Sequence, residues 1–288
     1  MNPTTAVLLS WNFDPLVVVG LVLALVLYVR GSRRLAANGG FGRQVGGDRL
    51  TAAIAGWLTL VIALLSPIAV FSGYFLTAHM TQHLLVTQIA APLLLLGRPV
   101  PTLVLGLPES IGRNIAPLLA RDGPLFPIGS VLTSPFVSLG IFLLVFLGWH
   151  VPLLYDAAIG NPVLHDLEHF LFFWSAILFW WPAVDPISGR NQRRRFLSLI
   201  SISIAFLAAN ALGIWFAFAG AVAYPSYQTG PLLFGVSPLD DQVAGGLVMW
   251  VGGSLLYGIS AIAVLAAGLQ AEERATRLRE AREAALAG

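Results

Sequence analysis

The five histidines of this chain are the residues whose type and spacing point most directly to chemistry. They are His79, His83, His150, His165 and His169. Two pairs lie four residues apart, and on a helix this spacing puts both imidazoles on one face, one turn from each other. Imidazole is the commonest metal ligand near neutral pH and suits copper, zinc, iron and nickel. The set therefore predicts a transition-metal site.

Carboxylate and thioether side chains could complete such a site. A carboxylate can hold a ligand imidazole in the right tautomer and offset the charge of the metal, and thioether sulfur is a soft donor that suits copper(I). The candidate supporting carboxylates are Asp156, Asp166, Glu168, Asp240 and Asp241. Met80 and Met249 are candidate soft ligands, although packing is the more frequent role of methionine at such positions.

The composition indicates a protein that uses the lipid bilayer as its solvent. Of 288 residues, 57% are hydrophobic and only 10% are charged, and the mean hydropathy is +0.81. Soluble domains carry about 25% charged residues. The chain has no cysteine, which excludes disulfides and thiolate metal ligands. Its formal charge of +2 gives no reason to expect a nucleic-acid partner.

Apolar stretches long enough to cross a bilayer recur along the chain, since a spanning helix needs roughly 20 such residues. The sequence predicts an all-α bundle of seven transmembrane helices in a single membrane domain. The predicted spans are 13–30, 50–71, 75–97, 129–149, 163–182, 196–219 and 241–268. The first lacks basic residues before it and has them after it, the reverse of a cleaved signal peptide. We therefore expect it to be retained as a span.

The arginines predict the orientation of this bundle. The chain has no lysine, and its sixteen arginines all follow the odd-numbered spans or lie in the tail after the seventh. Because basic loops stay in the cytoplasm, we expect the N-terminus outside and the C-terminus cytoplasmic. The five histidines then all lie at the outer ends of their helices.

Four further local predictions concern the ends of spans and the connecting segments. Asn161-Pro162 should cap and open the fifth span, and Trp180-Trp181-Pro182 should close it with aromatics at the membrane interface. The connection 98–128 is either an interfacial helix over Glu109–Ala120 or an irregular loop. The segment 270–288 should extend the last span as a charged cytoplasmic helix.

Several short motifs resemble the CtaG family of cytochrome c oxidase assembly factors found in Bacillus and actinobacteria. The matching segments are HMTQHLL (79–85), APL (91–93), LGRP (96–99), WHVPLLYDAA (149–158), HDLEH (165–169), FWWP (179–182), DQ (241–242), GG (245–246) and MW (249–250). The resemblance implies seven membrane helices in a bacterial plasma membrane. It also implies a role in maturing haem-copper oxidase, with copper as the cofactor, oxidase subunits as partners and a copper donor protein as a candidate partner.

Alternative functions remain open at the level of sequence. The segment His165–His169 matches the HxxEH pattern of zinc hydrolases, in which Glu168 would act as general base, so an intramembrane zinc-dependent hydrolase is the main alternative. A haem protein could use His83 with His169 as axial ligands. A transporter or channel is disfavoured because the middles of the spans lack charged residues. We expect a metal-binding factor that is not an enzyme.

Overall fold

The computed structural model describes residues 5–6, 9–37, 46–120, 122–184 and 192–287, and every regular element within them is a helix. The helices are α1 (Pro15–Ala37), α2 (Gly46–Leu65), α3 (Pro67–Phe71), α4 (Leu76–Leu96), α5 (Pro99–Gly106), α6 (Glu109–Leu119), α7 (Phe126–Leu132), α8 (Pro135–Trp149), α9 (Pro152–Ile159), α10 (Pro162–Val184), α11 (Gln192–Phe218) and α12 (Pro238–Leu247, continued to Ala287). The prediction of an all-α fold is confirmed.

Five of the described helices are long and apolar enough to cross a membrane, and two bent helix pairs raise the number to as many as seven. The protein is therefore a multi-pass helical membrane protein. The last helix continues from Gly253 to Ala287, so the predicted charged tail is helical over its described residues. The exact count of seven and the orientation stay predictions.

Each of the two bends falls at a residue that precedes a proline. Helices α4 and α5 meet at 69° and helices α7 and α8 at 65°. Proline disfavours the α conformation in the residue before it, so a helix tends to end there. Arg98 adopts a left-handed conformation with a φ of 51°, and Ser134 is extended. The predicted span 129–149 is consequently broken rather than one continuous helix.

The connection 98–128 is helical over much of its length, which favours the helix interpretation of Glu109–Leu119 over an irregular loop. Helix α5 packs closely against α1 through two glycines. A Cβ atom on Gly31 would lie 1.8 Å from the carbonyl oxygen of Thr102, and one on Gly106 would lie 1.9 Å from that of Leu27. This close backbone approach fixes the segment against the first helix.

Trp180 ties the two histidine-bearing helices together below the site. Its side chain is 1% exposed, and its indole N–H donates a 2.8 Å hydrogen bond to the carbonyl oxygen of Thr87 on α4. It packs with Phe142, Leu95 and Tyr257 in the largest apolar cluster. The sequence placed this tryptophan at the membrane interface. It is instead a core residue, because its indole N–H finds a partner within the bundle.

Candidate metal centre

Asp241 fixes the start of α4, the helix that carries His79 and His83. Its two carboxylate oxygens accept hydrogen bonds from the backbone N–H groups of Leu76, at 2.6 Å, and Thr77, at 3.2 Å. The hydroxyl of Thr77 returns a 2.9 Å bond to the carbonyl of Asp241. A carboxylate at a helix N-terminus satisfies free N–H groups and complements the helix dipole. The first turn of α4 is thereby locked to α12.

Asn161 caps α10, the helix that carries the second histidine pair. Its side-chain oxygen accepts hydrogen bonds from the backbone N–H groups of Val163, at 3.0 Å, and Leu164, at 3.4 Å. The helix itself begins at Pro162. This is the cap that the sequence predicts, because asparagine and proline favour these two positions. His165 consequently lies in the first turn and His169 one turn further along.

A wider helical turn interrupts both α4 and α12 just beyond the site. The backbone forms π-helix over Leu85–Ala90 and again over Val248–Gly252. Such π segments insert extra residues into an α-helix and are frequent at functional sites. Each one changes the face that the helix presents to its neighbours. The histidines of α4 therefore lie on a different face of the helix from the one that a constant period of 3.6 residues, counted from the residues after the π segment, would predict.

The two histidine pairs meet face to face. Ring centres of His79 and His83 lie 4.3 Å apart, and those of His165 and His169 lie 4.4 Å apart. Between the helices, His79 lies 5.5 Å from His165 and His83 lies 5.4 Å from His169. Helices α4 and α10 therefore bring four imidazoles into one cluster.

Glu168 lies at the centre of this cluster. Its Oε1 atom is 3.7 Å from the Nε2 atoms of both His79 and His83. Two groups of three residues could hold a metal ion, because their ligand atoms lie within 4.8 Å of one another: His79, His83 and His169 form one, and His79, His165 and Glu168 the other. The imidazole of His79 belongs to both.

The polar atoms of the cluster are buried and unpaired. Ten buried side-chain nitrogen or oxygen atoms among the described residues lack a hydrogen-bond partner. Seven of them are His79 Nε2, both nitrogens of His83, His150 Nε2, His169 Nε2 and both oxygens of Glu168. Buried polar groups without partners are costly, and a buried carboxylate most of all. A cation among these atoms would satisfy them, so the residues fit a transition metal.

Tyr227 sets the tautomer of His79. The phenol donates a 2.7 Å hydrogen bond to the carbonyl oxygen of Ser72, which can only accept. The same phenol oxygen lies 3.1 Å from Nδ1 of His79 and must therefore accept from it. The proton of His79 is then on Nδ1, and the lone pair is on Nε2, the atom that faces Glu168. Burial raises the pKa of the Tyr227 phenol well above its usual value, so the phenol keeps its proton.

No pattern in the sequence predicts Tyr227 as a site residue. It lies in a short 3₁₀ turn, Pro225–Tyr227, between α11 and α12. The phenol of Tyr155 lies 3.3 Å from that of Tyr227 and donates to it, and the rings of Tyr155 and Tyr224 stack with centres 3.8 Å apart. The one signal in the sequence is the pair of tyrosines three residues apart in a predicted outer connection.

His150 lies beside the cluster and belongs to neither three-residue group. Its ring centre is 6.3 Å from that of His83. Nδ1 lies 2.6 Å from the carbonyl oxygen of Phe146, which requires a proton on that nitrogen. The lone pair of His150 is therefore on Nε2, which is buried and unpaired.

The other candidate carboxylates have partners or positions away from the imidazoles. Asp156 accepts hydrogen bonds from the backbone N–H and the hydroxyl of Ser226. Asp166 is half-buried, with Asp14 among its electrostatic neighbours. Asp240 is exposed and lines a groove of ≈ 390 Å³ with Asp241. Support of a ligand imidazole by these residues stays a prediction.

Met80 and Met249 are buried, with 1% and 3% of their surfaces exposed. Both pack in one apolar cluster with Tyr155, Phe216 and Tyr224. Both also line a small cavity next to His83 and His150. Packing is thus established for the two methionines, and a role as soft ligands stays a prediction.

Comparison with known proteins identifies the family of the chain. An uncharacterised protein of Mycobacterium leprae (strain TN) is 25% identical over 285 residues, which cover 95% of this chain and 41% of that protein. The chain thus spans less than half the length of this relative. No solved structure matches the chain. The model of the cytochrome c oxidase caa3 assembly factor family (Caa3_CtaG) matches residues 26–270, a range that contains all five histidines. The chain belongs to this family.

Proposed function

We propose that this assembly factor binds copper as cargo at the cluster of His79, His83 and His169 and delivers it to the oxidase. Membership of the family supports a role in cytochrome c oxidase assembly. The observation that carries the copper proposal is the set of buried, unpaired imidazole and carboxylate atoms around Glu168. Imidazole suits copper in both of its common oxidation states, and the chain has no thiolate to compete.

The two overlapping ligand groups suit release as well as binding. His79 belongs to both groups, so an ion can exchange His83 and His169 for His165 and Glu168 without leaving that imidazole. His165 is less buried than the other three histidines of the cluster. We infer that the group containing His165 and Glu168 is the exit side of the site. Stepwise replacement of ligands lets a chaperone hold an ion firmly and still hand it on.

The partner faces the cluster from outside the cell in this proposal. The arginine distribution supports an extracytoplasmic position for all five histidines, in the plasma membrane of a bacterium. An oxidase subunit would receive the ion there, and a copper donor protein would supply it.

A zinc-dependent hydrolase is the second candidate, favoured by one observation. Glu168 lies within a group of potential metal ligands and belongs to the HxxEH segment. A general base must reach a metal-bound water, whereas Glu168 Oε1 lies equally close to two imidazoles, which suits a counter-charge or a ligand. Substitution Glu168→Gln separates the two candidates, because a hydrolase would keep its metal and lose turnover.

Metal analysis of the purified protein tests the copper proposal. The wild-type chain and a His79→Ala/His83→Ala/His165→Ala/His169→Ala variant are loaded with copper in detergent, and bound metal is counted after removal of excess. The wild type should retain copper and the variant should lose the ion of this cluster. Leu167→Ala is the matched control, since it changes an exposed apolar side chain on the same turn of α10 without removing an imidazole or a carboxylate. Equal copper in all three proteins would overturn the proposal.

Delivery needs a separate measurement in cells. A strain that lacks this protein should assemble oxidase with too little copper when copper is limiting, and added copper should restore part of the activity. The quadruple histidine variant should fail to complement, whereas Leu167→Ala should complement. Normally metallated oxidase in the deletion strain would refute the delivery role.

A further inference from the structure

A second group of metal donors lies directly beneath the histidine cluster. Here a cavity of ≈ 30 Å³ opens between α4, α8, α10, α11 and α12. Its lining includes four side chains with a nitrogen or sulfur donor, namely Met80, His83, His150 and Met249. The remaining walls are mostly apolar and aromatic, and no carboxylate is among the described residues that line it.

Two of these donors hold lone pairs that nothing in the described structure uses. His150 Nε2 is unprotonated, because Nδ1 bonds to the carbonyl of Phe146, and it is buried and unpaired. His83 lacks partners at both nitrogens; Nε2 lies 3.7 Å from Glu168, so Nδ1 is the nitrogen left for the cavity. The amide oxygen of Gln88 is also buried and unpaired at the cavity wall.

The distance between the two imidazoles fits one shared ion. Imidazole nitrogens bind transition metals at roughly 2 Å, which places the centres of two rings on one ion about 5–6.5 Å apart. The ring centres of His83 and His150 are 6.3 Å apart. A volume of ≈ 30 Å³ has room for one ion or one water molecule.

The chemistry of the lining selects the oxidation state. Thioether sulfur selects soft copper(I), whereas imidazole alone would also suit copper(II) or zinc. An uncompensated divalent ion in an apolar cavity is also more costly than a monovalent one. The cluster above, with Glu168 in its centre, has the opposite character.

We propose that Met80, His83, His150 and Met249 form a second, inner site that binds copper(I), and that His83 belongs to both sites. The inner site extends the proposed copper function, since an ion could pass between the two sites by changing from one nitrogen of His83 to the other while the ring proton moves to the nitrogen that the ion leaves. The methionines then act as ligands as well as packing residues.

Copper(I) titration of the full chain in detergent tests this site. Anaerobic protein competes for copper(I) with a coloured chelator of known affinity, and zinc is titrated separately as the probe of the upper cluster. In a Met80→Leu/Met249→Leu variant, copper(I) affinity at one site should fall at least about tenfold, while zinc affinity changes less than about twofold. X-ray absorption should show sulfur bound to copper(I) in the wild type and no sulfur in the variant.

The matched control is Phe142→Leu, which alters the same cavity wall without removing a donor. It should keep the copper(I) affinity and the sulfur signal. A His79→Ala/His169→Ala variant should lose the zinc of the upper cluster and retain sulfur-bound copper(I). Unchanged copper(I) binding in the methionine variant, or copper bound by nitrogen alone in the wild type, would overturn the inner site. Unchanged zinc and copper in the histidine variant would instead overturn the proposed upper site.

Discussion

Two polar groups of the molecule are equally buried and differ in their hydrogen bonding. Gln242 is 1% exposed, and its amide accepts from the N–H of Ala223 and donates to the carbonyls of Phe216 and Ala221. Glu168 is also 1% exposed, yet both of its oxygens lack a partner among the described residues.

This difference in hydrogen bonding distinguishes buried polar groups that hold the fold together from buried polar groups that are available to bind a ligand. The carboxylates of Asp241 and Glu168 are both buried, but that of Asp241 is fully engaged in capping α4. A buried polar group that is satisfied contributes to the specificity of packing, whereas one that is unsatisfied destabilises the fold. The unpaired atoms are concentrated around the histidines, which supports the proposal that a metal ion binds there.

The largest effect should come from adding copper. Copper supplied at about 1,000 times its dissociation constant should stabilise the wild-type protein by roughly 4 kcal/mol, since a ligand that binds only the folded state shifts unfolding by mass action. Thermal unfolding in detergent, with and without copper, measures the shift. A His79→Ala/His169→Ala variant should show a much smaller shift, and Leu167→Ala should behave as wild type. An equal shift in the double variant would mean that the unpaired atoms around the histidines do not bind the copper.

Asp241→Asn tests a buried carboxylate whose hydrogen bonds are all made. An amide offers one acceptor where the carboxylate offers two, so an N–H group of Leu76 or Thr77 loses its partner. Loss of charged hydrogen bonds at a buried helix cap should destabilise the metal-free protein by about 2–3 kcal/mol. The measurement is the unfolding temperature without metal. No decrease would mean that the cap does not hold α4.

Glu168→Gln is the matched change at a buried carboxylate without hydrogen-bond partners. Its effect on the stability of the metal-free protein should have the opposite sign. Removal of an unpaired buried charge should leave the unfolding temperature unchanged or raise it. Copper(II) affinity should fall by about thirtyfold, because a unit charge next to the ion contributes a few kcal/mol in a partly screened interior. Titration and thermal unfolding of the same preparation measure both. A loss of stability as large as that of Asp241→Asn would contradict the comparison.

The sequence predicts the parts of the site that depend on local rules. The i,i+4 spacing of the histidines, the cap at Asn161 and the apolar length of the spans each follow from helix geometry or bilayer thickness. The structure agrees with these local rules: four imidazoles cluster between two helices, and α10 begins at Pro162.

The remainder depends on contacts between residues distant in the chain. Asp241 and Leu76 are 165 positions apart, and Tyr227 and His79 are 148 apart. No local pattern distinguishes Asp241, which caps a helix, from Glu168, which faces the imidazoles. A tryptophan pair near a proline is typical of a span end and predicts an interfacial position for Trp180. Only the tertiary hydrogen bond to Thr87 reveals its place in the core.

Tyr227→Phe should have the smallest effect. It tests whether a hydrogen-bonded residue next to the cluster orients the imidazole of His79 for metal binding. The substitution keeps the ring and removes the oxygen that accepts from Nδ1 of His79. Loss of a group that orients a ligand imidazole typically lowers metal affinity by about ten- to a hundredfold, and we expect about tenfold here because one of several ligands is affected. Metal titration of the purified variant measures the change.

Tyr28→Phe provides the matched control for this effect. The phenol of Tyr28 donates a 3.0 Å hydrogen bond to the carbonyl of Gly97, at the opposite end of α4 from the histidines. Both variants lose one phenol hydrogen bond to a backbone carbonyl, which contributes about 1 kcal/mol of stability. Tyr227→Phe also leaves the N–H of His79 and the hydroxyl of Tyr155 without this acceptor, so it should lose more stability than Tyr28→Phe. Only Tyr227→Phe should also weaken metal binding. If the two variants bind copper equally well, Tyr227 stabilises the fold without orienting His79, and the tautomer is set by the other ligands alone.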